Sequence, residues 1–141
     1  MKYSVLYFSQ NQMHSYFEND ENCVQIVAST DDATTLVQHP YKKMLIVLQT
    51  GKAYSDLFNG LKAVSQENVL IVESKDVDEE AIQKVLNKLE EYPAVSYEEK
   101  IQGFDTRLLM FCLQYAIEMN VEIDSYMQAV SMFAKTPIAH V

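Results

Sequence analysis

A doubly wound α/β sandwich is predicted by three observations. Met44-Leu45-Ile46-Val47-Leu48 and Val69-Leu70-Ile71-Val72 are unbroken apolar runs, the form taken by parallel strands buried on both faces. About one helix-length of chain separates them, room for a crossover. Stretches with helical periodicity alternate with strand-like ones through the rest of the chain, which places helices on both faces of a mostly parallel sheet of four to five strands, with an extra helix at the C-terminal end.

The first strand is Tyr3 to Phe8, β-branched and aromatic, ending at the polar Ser9-Gln10-Asn11-Gln12. Met13 to Phe17 predicts a short helix, and Glu18 to Asn22 a charged turn. Cys23 to Ala28 alternates as a second strand. Ser29, Thr30, Asp31 and Asp32 supply cap oxygens and first-turn acids to a helix running through Gln38 and stopping at Pro40. Met44 to Thr50 is the third strand, broken by Gly51. Leu57, Phe58, Leu61 and Val64 then form a stripe on the helix from Tyr54 to Val64.

After the fourth strand, Asp76-Val77-Asp78-Glu79 reads as a capping box with Asp76 in the cap position, opening a helix that buries Ala81, Ile82, Val85, Leu86 and Leu89 and ends at Pro93. Ala94 to Tyr97 is either a short fifth strand or a connection. From Thr106 a helix follows that is apolar nearly all round over Leu108 to Leu113, which predicts burial on more than one side; Asn120 suits a left-handed stop. The last helix, near Asp124 to Ala134, carries Ile123, Tyr126, Met127, Val130 and Phe133 on one face. The whole, residues 1–141, reads as one domain with a helical pair at about 104–135 packed on it.

Charge narrows the function classes. A net charge of −9 opposes a phosphate backbone or an anionic lipid surface, because both are bound by Lys and Arg. Between Glu73 and Glu99 stand nine acids against three lysines, the densest acidic stretch. No apolar stretch is long enough to span a membrane, and the first residues carry no secretory pattern, so a cytoplasmic protein is expected. Cys23 and Cys112 are then expected as buried, unpaired thiols.

The carboxyl ends of strands are where ligands collect in open α/β sheets. The candidates there are Ser9, Gln10, Asp31, Thr50 and Ser74, with Thr30 and Glu73 beside them. They are hydroxyls, amides and single acids, with no activated nucleophile among them. Thr50-Gly51-Lys52 lacks the upstream glycine of a phosphate loop, since Ile46 stands in its place, although one anion at the following helix N-terminus is allowed. His14, His39 and His140 share no ligand spacing. Neither a metal nor a cofactor is expected.

The order of elements over residues 1 to about 119 resembles the receiver domain of two-component response regulators, a flavodoxin-like fold. Ser74 matches that family's hydroxyl position, and Lys100 stands near its lysine. Ser9, Gln10 and Asn11 replace its acid pair, and Gln49-Thr50 replaces its phosphoaccepting aspartate, so the resemblance implies a pseudo-receiver that cannot be phosphorylated.

The main functional expectation is therefore a non-catalytic regulatory or adaptor protein that binds another protein. The stripe Ile123, Tyr126, Met127, Val130 and Phe133 is its expected interface, with homodimerisation the expected form of self-association. One alternative is a small enzyme or ligand-binding protein using the strand ends; a deep pocket there with converging polar groups would favour it. Another is an acidic inhibitor of the immunity type, presenting carboxylates where a nucleic acid presents phosphates.

Overall fold

The computed structural model describes residues 1–8, 14–31 and 43–141. Its strands are β1 (Tyr3–Phe8), β2 (Cys23–Thr30), β3 (Met44–Leu48), β4 (Asn68–Val72), β5 (Ala94–Tyr97), β6 (Ile101–Asp105) and β7 (Ala139–His140). Its helices are α1 (Ser15–Asn19), α2 (Ala53–Lys62), α3 (Glu79–Leu89), α4 (Thr106–Glu118) and α5 (Tyr126–Phe133). The start of the helix expected at Met13, and the helix expected to run through Gln38, fall outside the described residues.

Among the described residues the seven strands join one sheet in the order β3-β2-β1-β4-β6-β5-β7. β1 is central and parallel to both β2 and β4, with Val5 opposite Ile26 and Leu70. Strand alternation then sorts the core into two layers. Tyr3, Val5, Tyr7, Leu70 and Val72 face α1 and α3, where Phe17, Ala81, Ile82 and Val85 cover them. Leu6, Val69 and Ile71 face the opposite way, onto Leu57 and Leu61 of α2 and onto α4 and α5. Cys23 and Cys112 are buried and unpaired. Burial pushes the Cys23 thiol up to about 11, which leaves it inert.

The general α/β class holds, but the sheet differs from the expected four or five mostly parallel strands. β6 runs antiparallel between β4 and β5, and β7 adds a parallel edge beside β5. β6 escapes a reading by periodicity because Gln102 and Gly103 interrupt it. Gly103 sits in tight packing: a Cβ there would lie 3.1 Å from Val85 and Leu89 and 3.2 Å from Leu70, so those side chains would have to give by a few tenths of an ångström.

Helix starts follow local chemistry. Asp78, not Asp76, caps α3, accepting from the Ala81 N–H at 2.9 Å. Asp105 caps α4 through the Leu108 N–H at 3.0 Å, and Ser125 caps α5 through the Gln128 N–H at 3.1 Å. Asn120 is left-handed after α4, with φ 51°. α4 is not buried all round: Leu109, Cys112, Leu113 and Ala116 face inward while Phe111 and Tyr115 remain exposed. The stripe on α5 meets that inward face. Tyr126 and Val130, the centre of the stripe expected to bind a partner, are buried in the same cluster as Leu109, Cys112 and Leu113, while Ile123, Met127 and Phe133 are half-buried at its margin.

Candidate functional site

Two polar clusters lie on the carboxyl side of the parallel strands. The first is the turn after β3. Gly51 adopts φ 94°, which a side chain would resist, and the turn wraps around Asp56 from the first turn of α2. One carboxylate oxygen accepts from the Thr50 N–H at 2.8 Å and the Thr50 hydroxyl at 2.7 Å; the other accepts from the N–H groups of Gly51 and Lys52, both at 2.9 Å. Asp56 is 3% exposed, and the Thr50 amide, helped by the other donors, holds its carboxyl below the usual range. The anion at this helix N-terminus is therefore the chain's own, and Thr50 is occupied in the turn.

The second cluster is a cleft of about 910 Å³, within the ~300–1,000 Å³ usual for ligand sites. Phe8 at the end of β1, Tyr54 and Leu57 of α2, Glu73 after β4, Ser96 and Gln102 from the hairpin, and Tyr126 and Met127 of α5 line it. α5 is seated across the sheet by packing of Tyr126 against the Phe104 ring, edge on at 5.8 Å, and by a hydrogen bond from the Tyr54 hydroxyl to the Ile123 carbonyl at 3.1 Å.

At the cleft floor the polar atoms are not paired off. Gln102 is 4% exposed; its Nε2 donates to Glu73 Oε2 at 3.4 Å, and its Oε1 has no partner. Tyr126 is 5% exposed and its hydroxyl also lacks a partner in hydrogen-bonding geometry. Glu73 is close enough for a weak interaction with the phenol, short of full hydrogen-bonding geometry: burial first, then the Glu73 charge and that interaction, push the Tyr126 hydroxyl up. Glu73 is reached by solvent from the cleft, yet desolvation by the surrounding walls, with Glu99 adding repulsion, raises its carboxyl.

The rim is the β5–β6 turn. Lys100 N–H donates to the Tyr97 carbonyl at 2.9 Å, and the two residues between, Glu98 and Glu99, take φ 47° and 59°. Such a turn favours Asn and Gly, so two glutamates there are conformationally costly. With Asp124 they bring the lining acids to four, and among the described residues neither Lys nor Arg lines the cleft. Lys100 does not line it, but lies 3.6 Å from both the rim residue Glu98 and Asp76 outside the cleft.

Of the expected site residues, Ser9 and Gln10 lie outside the described residues. Asp31 is exposed, Thr50 serves Asp56, and the Ser74 hydroxyl accepts from the Asp76 N–H at 3.0 Å in a local turn; none of these three lines the cleft. Glu73, noted beside them, does. His14 is structural: its Nε2 meets the Lys75 carbonyl at 3.1 Å, so its Nδ1 is left to accept from the Tyr7 hydroxyl at 2.9 Å. His140 lines the cleft, and His39 lies outside the described residues. Gln102 carries no sequence signal of its own, because Gly103 beside it breaks the strand pattern of β6. Among the described residues no group of three or more His, Cys, Asp or Glu side chains is placed to hold a metal.

No protein-family model matches the sequence, and comparison with curated proteins finds no match. Solved structures do match in shape. 4-Diphosphocytidyl-2C-methyl-D-erythritol synthase from Anaerococcus prevotii superposes with a TM-score of 0.81 at 14% identity, covering 99% of this chain and 86% of that one. 2-C-methyl-D-erythritol 4-phosphate cytidylyltransferase from Thermus thermophilus gives 0.75 at 17% identity, over 100% and 88% of the two chains. CMP:2-keto-3-deoxy-manno-octonic acid synthetase, complexed with CTP, gives 0.68 at 10% identity, over 100% and 89%.

The chain has the fold of these nucleotidyltransferases. That corrects the receiver resemblance, which rested on element order alone: the antiparallel β6 between β4 and β5 does not belong to a parallel five-stranded receiver. It also corrects the regulatory, non-catalytic adaptor reading built on that resemblance, because these neighbours are all named as enzymes and the strand ends enclose a cleft. Among the described residues no helix is long and apolar enough to cross a membrane.

Proposed function

We propose that this protein is an enzyme of the nucleotidyltransferase kind that binds a small acceptor molecule in the strand-end cleft. The observation that carries the reading is the cleft itself: it opens at the carboxyl side of β1 and β4, on a fold shared over the whole chain with cytidylyltransferases, and converging polar groups make its floor. In the reaction an acceptor hydroxyl oxygen bonds to the α-phosphorus of a nucleoside triphosphate, pyrophosphate leaves, and the hydroxyl proton passes to solvent or base. The described lining suits the acceptor and not the triphosphate. Glu73, Glu98, Glu99 and Asp124 would repel phosphates, and the amides after β3 are already taken by Asp56.

The test is pyrophosphate release by the full chain from each of the four common ribonucleoside triphosphates, in magnesium-containing buffer, against a panel of sugars, polyols and amino alcohols. Release with at least one pair is expected, and it should fall at least tenfold in Tyr126→Phe combined with Gln102→Met. No release with any pair, together with no saturable binding of any nucleotide by calorimetry, would overturn the reading.

A further inference from the structure

The floor of the cleft says more about the acceptor than its outline does. A buried amide oxygen without a donor costs free energy unless a ligand supplies one. The orientation of Gln102 follows from its neighbour: with Nε2 on Glu73 the oxygen must point away from it, and the reverse placement would set a carbonyl against a carboxylate. Gln102 Oε1 is thus presented as an acceptor, beside the carboxylate of Glu73, whose proton affinity is raised by desolvation and by the nearby charge of Glu99.

We propose that the cleft holds its small-molecule ligand through a protonated amine, whose N–H groups bond to Gln102 Oε1 and to the carboxylates of Glu73 and Glu99. An ammonium group carries three N–H donors and no acceptor, the complement of three acceptors without a cation. Phe8, Leu57, Met127 and Ile138 cover the carbon frame of the ligand. An anionic ligand would meet four carboxylates, and a neutral one would leave the charges of Glu73 and Glu99 unbalanced. A divalent metal finds no preformed set of ligands here among the described residues. The unpaired Tyr126 hydroxyl is left to bond a second polar group of the same molecule.

The proposal rests on reading the cleft as an acceptor site, and its test contains no nucleotide, so it can fail while nucleotidyl transfer stands, and the reverse. The full chain is titrated, by calorimetry and amide NMR, with ethanolamine beside ethylene glycol, glucosamine beside N-acetylglucosamine, putrescine beside 1,4-butanediol, and magnesium chloride alone. At least one amine should bind roughly tenfold more tightly than its uncharged counterpart and shift the Gln102 side-chain amide. Gln102→Met, with unchanged circular dichroism, should weaken that amine by about tenfold; it alters no charge, so a general attraction of amines to an acidic chain predicts no such loss. Equal binding of amine and uncharged partner, no effect of Gln102→Met, or magnesium shifting the same resonances at lower concentration would each overturn the proposal.

Discussion

The turn around Asp56 and the floor around Gln102 stand at the same end of the parallel strands and use similar chemistry, a carboxylate with amides, yet they end in opposite states. At Asp56 four donors meet two oxygens, and every group is paired within eight residues of chain. At Gln102 the partners come from β4, β6 and α5, and two buried polar atoms are left open. A cluster closed on itself fixes backbone; one left incomplete is completed by something that binds. The difference also separates the two strand-end candidates, since Thr50 belongs to the closed cluster and Glu73 to the open one.

The largest effect tests what both clusters stand on. Ile71→Ala, at a fully buried position of β4 facing α2 and α4, should cost about 2–5 kcal/mol by chemical denaturation, with ligand sites lost only because the chain unfolds. A cost under about 1 kcal/mol would misplace β4.

Next is the closed cluster. Asp56→Asn should lower Tm by roughly 5 °C at neutral pH, because an amide cannot accept four donors. The carboxyl is depressed in the fold, so its contribution is present above the ordinary carboxylate range and is lost as pH falls through the depressed value. Melting curves of the two proteins should converge in acid. If they differ equally at pH 7 and at pH 2.5, the turn is not held by the charge.

The open cluster should behave otherwise. Tyr126→Phe removes an unpaired hydroxyl and should move Tm by no more than about 2 °C, against the larger fall at Asp56. A drop as large as that of Asp56→Asn would show that the hydroxyl is structural.

Smallest is Glu73→Gln. Its carboxyl is raised in the fold, so below the ordinary carboxylate range both states are protonated and nothing is gained, whereas above the raised value the charged form costs stability. Tm should rise by about a degree near pH 8 and not at all near pH 4, small because cleft water screens the charge. A fall at pH 8 would make Glu73 part of the frame and not of the site.

Much of the architecture was legible because it is written locally. The runs at Met44 and Val69, the stripes on α2 and α3, and the left-handed Asn120 each follow from a few adjacent residues. What escaped was written at a distance. β6 looks like a connection in Ile101-Gln102-Gly103-Phe104 because its Gly103 answers to Val85, Leu89 and Leu70. Tyr126 and Val130 form an amphipathic face whichever surface covers it, and periodicity does not distinguish a neighbouring helix from a second molecule. The Glu98-Glu99 pair was the one local sign of the cleft, two acids between strand-like residues, and it was absorbed into a general acidic stretch.

By itself the sequence determines strand-forming apolar runs, helices with one apolar stripe and an acidic composition, since each is carried by residues within a turn or two of one another. Tertiary structure alone decides that β6 enters the sheet antiparallel, that α5 closes over α4 and the strand ends, and that Glu73, Gln102 and Tyr126 share one cleft. Those three residues are separated by 29 and 24 positions, and the pairing of β4 with β6 and the packing of Tyr126 on Phe104 bring them together.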